Sequence, residues 1–138
     1  MASGQGGDPR YPEGTIRRQL PHFRRRGLDL RGYFPGTLNV DVTPQRVRLV
    51  RPRATLREVA WAPGVTETFS FADVWVEVRE RAYVGLLYVP HPETKPEHPQ
   101  PPGVVEVLAP AIPGLGYGTA VALVLDPAQV AVEAGGGP

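Results

Sequence analysis

Two polar side chains in the segment Gly32-Tyr33-Phe34-Pro35-Gly36-Thr37-Leu38-Asn39-Val40 are spaced to act together. Pro35 and Gly36 make a turn. The alternation after it predicts a strand with Thr37 and Asn39 on one face, because strand side chains two apart point the same way. A hydroxyl and a carboxamide oxygen are hard donors, suited to Mg2+ shared with waters and substrate phosphates. The same pair also suits a plain polar strand face beside a turn, and Asn39 is the chain's one asparagine. The three histidines offer less. His91 and His98 flank Glu93 and Glu97 in a proline-rich stretch, a spacing that matches no familiar zinc pattern. The absence of cysteine excludes disulfides, thiolate zinc sites and cysteine nucleophiles. No nucleophile elbow, Walker loop or metalloprotease helix is present. Gly4-Gln5-Gly6-Gly7 has the look of a phosphate-cradling loop, but no strand is legible before it.

The elements that must position these residues follow from periodicity. Ile16, Leu20 and Phe23 share one helical face, which places a short helix within 15–27. Pro21 is expected in its first turn and Gly27 at its end. Arg24, Arg25 and Arg26 then fall where cations suit the helix dipole. From Thr37 onward the period is two. Strands are expected over 37–42, 45–51, 67–71, 73–79, 82–89, 104–108 and 119–125. Trp61 and Trp75 are read as core or rim residues. Six or seven short strands with one helix indicate a small β-barrel or sandwich. Residues 90–102 form a stiff proline loop.

Sixteen glycines and 17 prolines in 138 residues approach the composition of disordered chains. They concentrate in the first 14 residues, the 90–102 loop, the 113–118 turn and the tail, leaving Val-rich strands between. The expected organisation is an arm over 1–14, a single β-barrel domain over 15–132 and a tail over 133–138. Met1 to Gly7 is polar and unlike a secretory leader, and no apolar run reaches membrane-spanning length. The expectation is a cytoplasmic protein without membrane contact. The formal net charge is +1, yet residues 1–57 carry 12 arginines against four carboxylates. Such a basic half suggests an anionic partner, unless folding intermixes the halves.

Phe34-Pro35-Gly36-Thr37-Leu38-Asn39-Val40 resembles the signature of the archaeal-type CTP-dependent riboflavin kinases. Val84-Gly85-Leu86-Leu87-Tyr88-Val89-Pro90, then Thr94, then Val105-Glu106-Val107-Leu108-Ala109-Pro110 resembles that family's strand, proline loop and closing strand. The turn Gly116-Tyr117-Gly118-Thr119 also fits. The likeness spans about residues 12–126. It implies a six-stranded cradle-loop β-barrel with one short helix, and transfer of a phosphoryl group from CTP to riboflavin, giving FMN. By the same resemblance Thr37 and Asn39 would hold Mg2+. Gly14, Thr15, Gly36, Ala109 and Pro110 would meet the nucleotide. Thr94 would meet the flavin, with Glu97 substituting for a family glutamate whose aligned position is Gly103. The chain departs from the family after Ala109-Pro110, where no basic residue follows. The alternative function is a non-catalytic barrel that binds RNA or another polyanion through the Arg-rich half.

Overall fold

The computed structural model describes the backbone at residues 2–3 and residues 14–91 and 103–134. It is mainly β, with 52% strand, antiparallel sheets and one short helix. The strands are β1 (Ala2–Ser3), β2 (Leu38–Asp41), β3 (Arg46–Leu49), β4 (Ala54–Ala62), β5 (Val65–Val78), β6 (Arg81–Pro90), β7 (Val104–Leu108), β8 (Ala122–Leu125) and β9 (Val130–Glu133). Seven of them make one sheet in the order β1-β2-β7-β6-β5-β4, with β8 also on β5. The remaining two, β3 and β9, form a separate ribbon. Among the described residues no pairing closes the sheet into a barrel, so the architecture stands as mainly β with antiparallel sheets.

The helix α1 spans Thr15–Arg25, and Pro21 lies inside it rather than in its first turn. Proline has no N–H to give the carbonyl four residues back, so this start was expected to be excluded. Packing outweighs that cost. Ile16, Gln19 and Phe23 share the buried face, while Pro21 sits exposed on the opposite one. Phe23 is fully buried, edge-on to Phe69 at 5.0 Å and to Phe71 at 5.3 Å between ring centroids. The basic last turn of His22, Arg24 and Arg25 suits the dipole as expected.

Residues 67–71 and 73–79, expected as two strands, form most of the single 14-residue strand β5. It pairs with β6 along most of its length, from Phe69↔Pro90 to Val78↔Arg81. Its other edge is shared. Strand β4 takes the first half and β8 the second, at Val74↔Leu125 to Glu77↔Ala122. Between them the Gln129 side chain stands in for a strand. Its Oε1 accepts from the Asp73 N–H at 2.7 Å, and its Nε2 donates to Asp73 Oδ2 at 2.8 Å. Strands β4 and β9 were not expected. The first strand, β1, pairs Ala2↔Val40 and Ser3↔Asn39, where a loose arm was expected. Residues 119–121 are not strand; Thr119 Oγ1 instead accepts from the Gly116 N–H in a turn.

Two cores result. Phe23, Trp61, Phe69, Phe71, Leu86, Tyr88 and Leu108 pack under α1. Val40, Val74, Val76, Leu87, Val107 and Val130 form the other. Trp61 is core as expected, whereas Trp75 is half exposed on the outer face of β5. Gly85 lets β6 and β7 approach closely, since a Cβ there would meet the Leu108 carbonyl oxygen at 2.7 Å.

Two outcomes follow. Phe23→Ala should cost about 3–5 kcal/mol of stability in denaturant titration, by opening a cavity between α1 and β5. The Asp73 carboxyl lies below its ordinary pKa, first through Gln129 and then through Arg53, with burial opposing. A depressed folded-state pKa contributes stability above the ordinary carboxylate value of about 4, lost as pH falls through the folded value. Asp73→Asn should therefore flatten the loss of thermal stability below about pH 4 in melts across pH.

Candidate functional site

The Pro35-Gly36 turn delivers the chain into β2 as the sequence implies. Thr37, immediately ahead of β2, is buried. Its hydroxyl donates to Glu106 Oε1 at 3.1 Å and lies 3.4 Å from Asn39 Oδ1. Glu106 comes from β7, where the register sets it directly opposite Asn39. Three side-chain oxygens thus meet at one corner of the sheet. Sequence reading found two of them and missed Glu106, because only the cross-strand register joins it to Thr37.

The donor set bears on whether a metal fits. No group of three His, Cys, Asp or Glu is present among the described residues. The corner holds one carboxylate and two neutral oxygens. That matches Mg2+, which is commonly held by one or two carboxylates together with waters and substrate phosphates. The Thr37 hydroxyl can give its proton to Glu106 and still turn lone pairs toward a cation.

A pocket of about 170 Å³ is lined by Phe34, Gly36, Leu38, Ala109, Pro110 and Ile112 among others, with Leu38 on the opposite face of β2 from Thr37 and Asn39. Tyr33 bridges Pro110, and the Phe34 N–H donates to the Ala109 carbonyl at 2.9 Å. Gly36, Ala109 and Pro110, far apart in the chain, therefore share one wall system. Phe34 is 48% exposed at this pocket. Gly36 is needed there, since a Cβ would meet the Phe34 ring at 2.9 Å.

Gly14 and Thr15 are not among the residues lining that pocket. They begin α1, where Gly14 has φ +96° and no side chain caps the first turn. Its N–H groups are suited to an anion. Thr94, Glu97 and His98 lie outside the described residues, as do Gly4 to Gly7 and residues 92–102. His91 shares a 2.7 Å hydrogen bond with the buried Ser70, whose hydroxyl also bonds Thr55. That histidine therefore serves the fold of β4, β5 and β6.

Behind the corner the α1 core is polar in places. The Tyr88 hydroxyl donates to Gln19 Oε1 at 2.8 Å. Burial first, then the Glu106 and Glu67 carboxylates, push the Tyr88 phenol well above its ordinary pKa. It remains a neutral donor near the site.

Folding cancels part of the charge asymmetry. Arg31 pairs with Asp29, Arg48 with Glu133 and Arg53 with Asp73. Arg26 donates to the carbonyls of Arg57 and Glu58. Part of the remainder lies on α1, in a groove of about 540 Å³ that Arg17, Arg24, Arg25 and the Asp29–Arg31 pair line with Leu20, Pro21 and Leu30. His22 feels this field. Burial and then Arg25 and Arg18 hold its pKa below the ordinary value. Among the described residues no aromatic ring lines the groove, so these offer bases no stacking platform.

Thr37→Val should remove the hydrogen bond that the Thr37 hydroxyl donates to Glu106 in a half-buried place. The expected loss is about 1–3 kcal/mol of stability in urea titration, whereas Leu38→Val should cost less. No family model, curated protein or solved structure matches this chain.

Proposed function

We propose that the chain is a phosphotransferase of the CTP-dependent riboflavin kinase type, moving a phosphoryl group from CTP to riboflavin and releasing FMN and CDP. The observation that carries this reading is the meeting of Thr37, Asn39 and Glu106 at one corner, together with a pocket that Gly36, Ala109 and Pro110 line. Phosphoryl transfer asks for positioning and charge neutralisation more than for a covalent device. A bound Mg2+ would supply charge neutralisation on the phosphates.

This chain's residues do the rest. Thr37 and Asn39 would hold the cation through their side-chain oxygens, and Glu106 orients the Thr37 hydroxyl. A pocket of about 170 Å³ is below the roughly 300–1,000 Å³ of whole-ligand sites. It takes a fragment of the nucleotide, with the exposed Phe34 ring offering a face to a base or flavin. Gly14 and Thr15 at the uncapped start of α1 suit a phosphate. In the step itself the riboflavin 5′-oxygen bonds to the γ-phosphorus. The bond from that phosphorus to the β-bridging oxygen breaks, and CDP leaves with the electron pair. Glu106 is the carboxylate at the corner that can take the hydroxyl proton. The β3–β9 ribbon, lying apart from the main sheet, would be the wall that makes a cradle-loop barrel of the whole.

Calorimetry with CTP, riboflavin and Mg2+, together with an assay for FMN, tests the reading. Mg2+-dependent nucleotide binding is expected, and Asn39→Ala should slow FMN formation about 100-fold or more by misplacing the phosphates. Absence of nucleotide binding and of FMN in the folded wild-type protein overturns it.

A further inference from the structure

Three side chains on the outer face of the main sheet stand in one row. Trp75 of β5 pairs with Val84 of β6 on one side and Val124 of β8 on the other. They are 49%, 48% and 45% exposed. The adjoining row is Ala82, Glu77 and Ala122, so the indole stands above small neighbours. An exposed apolar row with a polar rim marks an interaction site, and tryptophan is a leading anchor at interfaces. The rim is acidic. Asp73 and Glu77 lie two residues either side of Trp75 and share its face. Asp73 pairs with Arg53, while Glu77 makes no ion pair among the described residues.

The α1 groove has the opposite character. Leu20, Pro21 and Leu30 give it an apolar floor, and Arg17, Arg24 and Arg25 make no ion pair among the described residues. Two rows face to face would set Glu77 against Glu77, and two grooves would set arginines against arginines. Row against groove matches apolar with apolar and acid with base. We propose that the Val84–Trp75–Val124 row of one copy docks in the α1 groove of a second copy, head to tail. Such a contact is heterologous. Each copy keeps one free row and one free groove, so assembly continues into rings or open chains. None of these residues belongs to the Thr37–Asn39–Glu106 corner.

Sedimentation velocity over a range of protein concentrations tests this. The wild-type chain should associate, and raising salt from about 0.05 to about 0.5 M should weaken association about tenfold or more. Trp75→Ala and the double variant Arg24→Glu/Arg25→Glu should each be monomeric, with circular dichroism showing that both remain folded. Mixed in equal amounts, they should form a heterodimer that does not extend, because one retains its groove and the other its row. The proposal is overturned if the wild-type chain stays monomeric, if the mixture gives no heterodimer, or if the double arginine variant still self-associates. A monomeric chain whose groove takes an RNA oligonucleotide or an acidic peptide overturns it in favour of that partner.

Discussion

Strand β5 buries both faces from Glu67 to Ala72, and between Phe71 and Ala72, both fully buried, its apolar side chains pass from one core to the other. Up to that point Phe69 and Phe71 point into the core under α1; beyond it Ala72, Val74, Val76 and Val78 point into the other core. A strand side-chain pattern has period two, so neighbouring residues cannot share a core. The sheet therefore must be covered on opposite faces at its two ends. Helix α1 supplies the cover at one end. At the other, the ribbon and the segments beyond Ala109 supply it through Val47, Val130, Ile112 and Leu115. Splitting the far edge of β5 between β4 and β8 is part of the same solution. The gap left between them would strand the Asp73 N–H, and the Gln129 amide fills it. A half-buried donor left unsatisfied would cost about as much as several good contacts contribute.

This face change sets where chemistry can sit. Strand β7 follows the alternation of β6, with Val107 toward one core and Leu108 toward the other. Glu106 is then on the Leu108 side, near Tyr88, and its partner across β2 is Asn39. Thr37 joins because it precedes Asn39 by two. The corner is the place where the polar part of the α1 core reaches the end of the sheet, with Asn39 and Glu106 held on β2 and β7 and Thr37 on the residue leading into β2. Rigid placement of that kind is what phosphoryl transfer asks of a protein.

Much of this was legible in the chain. The alternation at 38–41, 46–49 and 104–108 names β2, β3 and β7, and the spacing of Thr37 and Asn39 places them on one face. Strand β4 was not legible for a reason visible in its register. Leu56, Val59, Trp61 and Ala62 are its buried positions, at spacings of three, two and one, because the pairing shifts between Ala60 and Ala62 as well as between Leu56 and Val59. Glu58 sits there with φ +50°, and a bulge of this kind breaks the period that reveals a strand. The start of α1 was hidden by Pro21, since a local rule gives way when Ile16, Gln19 and Phe23 gain a core. Glu106 read as an ordinary outward residue of a short strand. Its proximity to Thr37 depends on which strands pair, which lies beyond any local pattern.

The charge distribution shows the same limit from another side. In the chain the arginines of residues 1–57 stand opposed to the acidic remainder, as though two partners were implied. In the fold the strands carrying Arg48 and Arg53 lie against Glu133 and Asp73, so much of that contrast is spent on joining β3 to β9 and β4 to β5. Exposed pairs of this type contribute little each. Their consequence is spatial rather than energetic: they neutralise Arg48 and Arg53, while Arg17, Arg24 and Arg25 on α1 make no ion pair among the described residues. One basic surface that survives is a helix face with an apolar floor, and on the sheet a tryptophan stands between carboxylates. A surface that kept all its arginines unpaired would bind polyanions without selection. Pairing some of them reduces that tendency, and the apolar floor of the α1 groove makes shape as well as charge a condition for binding there.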